Sequence, residues 1–342
     1  MNKTEFEVLE SDVKNNNLGN FYIFHGIEDY MKNFYLKKIE ELLLDEAFKS
    51  FNLEKFDEQN FNLEDFSNSI ESFPAMAEKK VIIVRDFDLY KIKADIRDEM
   101  IEILSDLPDY VCVIFDYATI EFKQDKRLKI NNVIKDKARI VEFAFLSQNK
   151  MNTWLKRRFK AENIAISDKT CEYFTFICSM SMSNLSSECE KLCAYCTEEV
   201  LPSDIDAICS KVLEAKIFDI TDKLLNRDVV SALQLIDDLI LLKTDEFSIV
   251  SVINSQFQRL YSAKLGMKQH KNERYFMDLW SIRSSYAIRM SLQQAEKYET
   301  NFLRTACNLC VKTAMDMVSI NMDKSQLLQL LIVKIGAINA EN

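Results

Sequence analysis

With 342 residues, a net charge of −10 and a pI near 5.0, the chain exceeds what one hydrophobic core serves and is too acidic for indiscriminate nucleic-acid binding. Two or three domains are therefore expected, and any DNA contact must be local. Four glycines and three prolines argue for a mainly helical protein with few tight turns and exclude collagen-like, disordered-linker and all-β classes.

Nine cysteines, an odd number spread through helical patterns, read as reduced thiols rather than a disulfide framework. The N-terminal residues lack the apolar core of a signal peptide, and no uncharged apolar stretch reaches the roughly eighteen residues of a membrane helix. A cytoplasmic location without a membrane partner is expected.

Residues 1–19 form a polar lead-in, with Lys14-Asn-Asn-Asn-Leu-Gly19 breaking any earlier helix. Phe21 to Phe24 reads as a short strand turned at His25-Gly26, and Tyr30, Phe34 and Leu36 to Leu44 continue as an amphipathic helix. A strand, glycine turn and helix is where a phosphate-binding loop would sit. That loop needs a second glycine, then Lys and Ser or Thr, whereas this one reads Gly26-Ile-Glu-Asp-Tyr-Met-Lys32. Glu28 and Asp29 occupy the positive helix N-terminus and would repel a phosphate, so no nucleotide or other cofactor is expected.

Phe51 to Phe56 alternates as a second strand, and Leu63 to Phe73 follows as a helix. Pro74 ends that helix because the residue before a proline avoids the helical region, placing a turn at Phe73 to Met76. Val81 to Val84 is an unbroken β-branched run suited to a strand buried on both faces. Two readings of Met76 remain open here: a filler of a core gap, or an apolar residue presented for binding.

A helical segment around Ile92 to Leu107 stops at Pro108. Val111 to Phe115 is a further buried strand, Phe122 to Val133 a charged helix and Ala138 to Phe145 a fifth strand. Alternating strands and helices predict a parallel α/β sheet. The third strand runs into Arg85-Asp86 and lacks the acidic pair that would hold magnesium, which speaks against hydrolysis a second time.

Strand signals stop after Phe145. Asn152 to Phe159, Asp168 to Ile177, Asn184 to Cys196 and Pro202 to Val212 read as four short helices. From Ile217 onward Leu224, Leu225, Ala232, Leu233, Ile236, Leu239 and Ile240 recur at helical spacing. The pattern continues through Phe257, Tyr261, Ala306, Leu309, Met317 and Leu327 to Ile338 and predicts a bundle of long antiparallel helices.

Cys189, Cys193, Cys196 and Cys209 invite a zinc reading, but the first three lie along one helical pattern, where cysteine acts as a small core residue, so no metal is expected. Neither His25 nor His270 stands beside a nucleophile, and no catalytic residue is expected. Residues 121–160 carry twelve basic side chains against four acidic ones, a net charge of +8 against −18 elsewhere. Such a run, with Lys156, Arg157 and Arg158 near its end, is either a DNA-facing surface or a solvated or partner-paired face.

An ordered set of residues resembles the delta subunit of the bacterial DNA polymerase III clamp loader. The set comprises Tyr22-Ile-Phe-His-Gly26 with Glu28 and Tyr30, Phe73-Pro-Ala-Met-Ala-Glu-Lys-Lys-Val-Ile-Ile-Val84, Trp154, Asn184-Leu-Ser-Ser-Glu-Cys-Glu-Lys-Leu192, Phe218-Asp-Ile-Thr-Asp222 and Gln256-Phe-Gln-Arg-Leu260. The resemblance implies an AAA+-like α/β domain without a functional phosphate loop at 1–146, a small helical lid at 147–212 and a C-terminal helical collar at 213–342.

It further implies a role in a ring with the tau/gamma ATPase subunits and the delta-prime subunit. That role is to open the beta sliding clamp and help load it on primed DNA without hydrolysing ATP. The family's clamp-binding tip falls here on Phe73, Pro74, Ala75 and Met76, where Ala75-Met76 replaces the pair of large apolar residues often found. An active ATPase with an irregular phosphate loop and a generic helical adaptor are the alternatives.

Overall fold

The computed structural model describes residues 4–341 and divides into two compact units, Met1–Phe145 and Leu146–Asn342. The first unit runs α1 (Glu5–Asn15), β1 (Phe21–His25), α2 (Asp29–Leu43), α3 (Lys49–Asn52), β2 (Leu53–Asp57), α4 (Leu63–Glu71), β3 (Lys80–Arg85), α5 (Ala94–Ser105), β4 (Val111–Asp116), α6 (Ile130–Lys137) and β5 (Arg139–Glu142). Its five strands form one parallel sheet in the order β2-β3-β4-β1-β5.

The central strands bury both faces because their apolar runs are continuous. Phe21, Ile23, Ile82, Val84, Val111, Val113 and Phe115 face one core with Phe66 and Ile70 of α4, Met100 and Leu104 of α5, and Ile130 and Ile134 of α6. Tyr22, Phe24, Val81, Ile83, Cys112 and Ile114 face the opposite core with Leu9 of α1 and Tyr35, Leu36 and Ile39 of α2. The period-two split places helices on both faces, the α/β class that the alternation predicts. The order of strands reverses beside β1, so a crevice opens above its carboxyl end and that of β4.

Several elements differ locally from expectation. The lead-in contains α1, started by a capping box in which Thr4 Oγ1 accepts from Glu7 N–H and the Glu7 carboxylate accepts from Thr4 N–H. The first three residues of the lead-in lie outside the described ones. The strand expected from Phe51 begins at Leu53, because residues 49–52 complete a helical turn whose Asn52 side chain is used elsewhere. The charged helix begins at Ile130 rather than Phe122, leaving residues 122–129 irregular, with Asp125 accepting from Arg127 N–H at 3.0 Å.

The second unit runs α7 (Gln148–Ala161), β6 (Ala165–Ile166), α8 (Asp168–Ile177), α9 (Met182–Tyr195), β7 (Glu199–Val200), α10 (Pro202–Ile208), α11 (Leu213–Leu225), α12 (Val229–Leu241), α13 (Glu246–Lys268), α14 (Glu273–Trp280), α15 (Ser285–Glu296), α16 (Thr300–Ser319) and α17 (Lys324–Glu341). The pairing of β6 with β7 spans two residues on each strand, too short to leave an alternating pattern in the sequence.

Helices α11 to α17 share one core, with Leu224, Ala232, Ile236, Leu239, Phe257, Ala306, Met317 and Leu327 buried in it. A polar network lies within that core. The Gln294 side-chain oxygen accepts from Gln256 Nε2 at 2.9 Å and Thr221 Oγ1 at 3.3 Å, and Tyr298 donates to Thr221 O at 2.7 Å. Among the described residues no helix is long and apolar enough to cross a membrane.

Gly26 closes the β1–α2 turn at φ +108, and a Cβ there would stand 2.5 Å from Phe143 O. Substitution Gly26→Ala is expected to lower stability by about 1–3 kcal/mol, read as a fall in the urea midpoint at unchanged slope.

Candidate functional site: an apolar tip and a filled crevice

The loop between α4 and β3 presents the most exposed large apolar side chains of the first unit. Helix α4 ends at Glu71, with Ser72 N–H bonded to Asn68 O, and Pro74 follows two residues later. Met76 is 83 % exposed and Phe73 80 %, Ala75 is exposed and Pro74 half-buried, so Met76 fills no core gap. Met76 adopts φ +52, a left-handed conformation that costs an L-residue about 1 kcal/mol and persists only where surrounding structure enforces it.

That enforcement comes from beneath the loop. Asn52, fully buried at the end of α3, presents its carboxamide to the backbone of Ala75 as a strand would. Asn52 Oδ1 accepts from Ala75 N at 2.7 Å, and Asn52 Nδ2 donates to Ala75 O at 2.9 Å and to Phe48 O at 3.0 Å. The loop entrance is held by Lys80, whose buried ammonium donates to Ser72 Oγ at 2.7 Å and pairs with Glu54 at 2.8 Å. Ser69 bonds the same carboxylate. Burial alone would raise the Glu54 carboxyl, but the hydrogen bonds from Lys80 and Ser69 outweigh it and hold the group below the usual range.

Tyr110 donates to Glu71 O at 3.1 Å and lays its ring 5.1 Å from that of Phe73. Phe51, 67 % exposed on α3, precedes Asn52 in the chain. Asn52, Lys80 and Tyr110 were not singled out from the sequence. The one visible signal was a lysine opening an otherwise apolar strand.

The crevice at the carboxyl ends of β1 and β4 is occupied by the chain's own charged groups. Glu28 N–H bonds Phe143 O at 3.0 Å, and the Glu28 side chain is buried. Lys32, one turn into α2, is 1 % exposed. Its ammonium donates to Tyr117 O at 2.8 Å, pairs with Asp29 at 3.0 Å and lies 4.0 Å from Asp116.

Asp116 also accepts from Arg85 Nε at 3.0 Å. Burial pushes its carboxyl up, opposed by Arg85 and Lys32. His25 is shifted down by burial and is neutral at pH 7. At the end of β3, Asp86 caps the Ala118, Thr119 and Ile120 N–H groups rather than facing the crevice.

The basic run is divided, with 121–145 in the first unit and 146–160 in the second. Much of it is neutralised locally. Lys123 pairs with Glu121 at 2.7 Å, and Arg127 pairs with Asp125 at 2.7 Å, which holds that carboxyl down at about 2. On α7, Lys156 pairs with Asp168 at 2.7 Å and Arg158 with Glu190 at 3.0 Å. The Arg157 side chain is exposed on the same helix. Cys189 is buried and Cys193 half-buried on α9, whereas Cys196 follows the helix end in an extended conformation and so does not continue the helical pattern expected of it.

A doubly wound parallel domain with buried charged groups at the carboxyl ends of its strands and an exposed apolar loop, followed by a helical bundle, defines a mixed α/β protein with a helical C-terminal unit. Residues 22–144 match the family DNA polymerase III, delta subunit, and residues 214–335 match the DNA polymerase III delta subunit, C-terminal domain. The chain belongs to the DNA polymerase III delta subunit family.

It is 24 % identical over 345 residues to DNA polymerase III subunit delta of Bacillus subtilis, covering 98 % of both chains. It is also 24 % identical over 250 residues to a probable DNA polymerase III subunit delta of Aquifex aeolicus, covering 71 % of this chain and 70 % of that one. Among solved structures, the Bacillus subtilis DNA clamp loader delta protein shares the fold with a TM-score of 0.64 at 21 % identity, over 97 % of this chain and 99 % of that one.

Replacing Asn52 by Ala removes both bonds to the Ala75 backbone and the one to Phe48 O. The variant is expected to lose about 2 kcal/mol of stability and to exchange the Ala75 amide hydrogen faster than wild type. Tyr110→Phe, which removes one bond from a more exposed site, is expected to cost about 1 kcal/mol or less in the same denaturation assay.

Proposed function

We propose that the chain is the clamp-opening subunit of a DNA polymerase III clamp loader. It binds the beta sliding clamp through Phe73, Pro74, Ala75 and Met76, and it assembles with the tau/gamma ATPase subunits and the delta-prime subunit. The supporting observation is the tip itself, two large apolar side chains more than three-quarters exposed on a backbone pinned from below by Asn52 and Lys80. An exposed apolar pair on a rigid loop gives up little conformational entropy on docking, which favours its use as an anchor.

A tip that fits the opened form of a clamp interface better than the closed form shifts the clamp toward opening by its differential affinity alone. No hydrolysis by this subunit is needed. The filled crevice supports that division of labour. A phosphate there would have to break the bonds of Lys32 to Tyr117 O and Asp29 and approach the buried Glu28. In this reading ATP acts in neighbouring subunits, residues 1–146 carry the tip, 147–212 form the lid and 213–342 the oligomerising collar. Arg157, an exposed residue of α7, then faces the primer-template DNA held in the assembly.

Met76→Asp is expected to weaken binding of the beta clamp by about 30-fold, corresponding to about 2 kcal/mol, in a surface-capture titration; equal retention of the clamp rejects the tip assignment. Titration of the isolated chain with ATP is expected to show no binding, and saturable binding would overturn the non-hydrolysing role. In the reconstituted assembly, Arg157→Glu is expected to weaken DNA association and flatten its salt dependence by roughly one phosphate contact.

A further inference from the structure

Three helices of the second unit each bring one metal-ligating side chain to a common point. Cys178 follows the last residue of α8, Glu188 lies midway along α9 and Cys209 follows the last residue of α10. All three are buried, and one ligand atom from each, two sulfurs and a carboxylate oxygen, lie within 4.8 Å of one another. This is a different set from the cysteines strung along α9, and no motif spacing announces it.

The surroundings fix the carboxylate. Glu188 Oε2 pairs with Lys191 Nζ at 2.6 Å and accepts from Ser210 N–H at 3.2 Å, the outer support that ligating carboxylates normally have. The two cysteine-bearing segments are tied through Val212 N–H to Ile177 O at 2.9 Å, and Asn184 Nδ2 donates to Cys178 O at 3.2 Å.

Charge balance also favours a divalent ion. With both thiols protonated, the cluster is neutral because Lys191 matches Glu188. A divalent cation that takes two thiolates expels two protons and replaces their charge, so the cluster stays neutral and no unpaired charge is buried. Bonds of about 2.3 Å to sulfur at tetrahedral angles set the sulfurs about 3.8 Å apart, a spacing within about 1 Å of the 4.8 Å that bounds the present cluster.

We propose that Cys178, Cys209 and Glu188 form a binding site for one thiophilic divalent cation of the zinc class, which ties α8, α9 and α10 together. Two thiolates and a carboxylate suit that class, and the fourth position falls to water or an exogenous ligand at the slightly exposed Cys209.

The test uses the reduced, chelator-stripped full chain with Co²⁺ as probe. A sulfur-to-cobalt charge-transfer absorption is expected to saturate at one ion per chain, to be displaced by Zn²⁺, and to disappear in Cys178→Ser and Cys209→Ser. Zn²⁺ alone is expected to raise the unfolding temperature of the wild type and not of these variants. Cys193→Ser, on the same helix as Glu188, is expected to behave as wild type.

Absence of the band in wild type, its survival in the double serine variant, or its loss in Cys193→Ser would each overturn the site. Should the serine variants fail to fold, Glu188→Gln decides: a shifted band and a roughly 10–100-fold weaker Zn²⁺ affinity support the site, and an unchanged band and affinity overturn it.

Discussion

The geometry of the first unit's apolar loop depends on a polar side chain that no solvent reaches. Asn52 uses its carboxamide to complete the backbone pairing of Ala75, so a loop with no strand beside it is held as firmly as one that has. Buried amides are costly unless satisfied, and this one is satisfied on both sides, donating to Phe48 and Ala75 and accepting from Ala75. The left-handed backbone of Met76 persists because of that support, and the strain goes with outward presentation of the side chain.

A second constraint runs through the crevice above β1 and β4. Architectures of this kind leave ligand space where the strand order reverses, and here the buried Lys32 and Asp116 lie at that point, paired with the more exposed Asp29 and Arg85. The Lys32 ammonium also bonds the Tyr117 carbonyl, which ties the chain just after β4 to the first turn of α2. Strand β3, which the α4–β3 loop enters, is hydrogen-bonded between β2 and β4.

The second unit combines two kinds of interior. Helices α11 to α17 bury a conventional apolar stripe together with the Gln256, Gln294 and Thr221 network, which fixes the mutual register of α11, α13 and α15 because a shift would strand buried polar atoms. Helices α8 to α10 bury Phe174, Ile177, Met182, Leu185, Leu192 and Ile205 and also bring two thiols and a lysine-matched carboxylate together.

Continuous apolar runs at Val81 to Val84 and Val111 to Phe115, and the 3.6-residue recurrence from Leu224 to Leu327, determined the parallel sheet and the helical bundle from sequence, because periodicity reports burial directly. Pro74 likewise placed the turn and with it Phe73 to Met76. Exposure of Met76 was beyond sequence, since the same residue serves as core filler or as anchor, and its fate depends on whether other segments cover it. The tertiary structure also decided the support of the loop, where Asn52 and Ala75 meet across twenty-three residues of chain, and the pairing of Lys156 and Arg158 with distant acids. It brought Cys178, Glu188 and Cys209 together as well. Contacts of that range have no period or motif, because they arise only after the elements have packed.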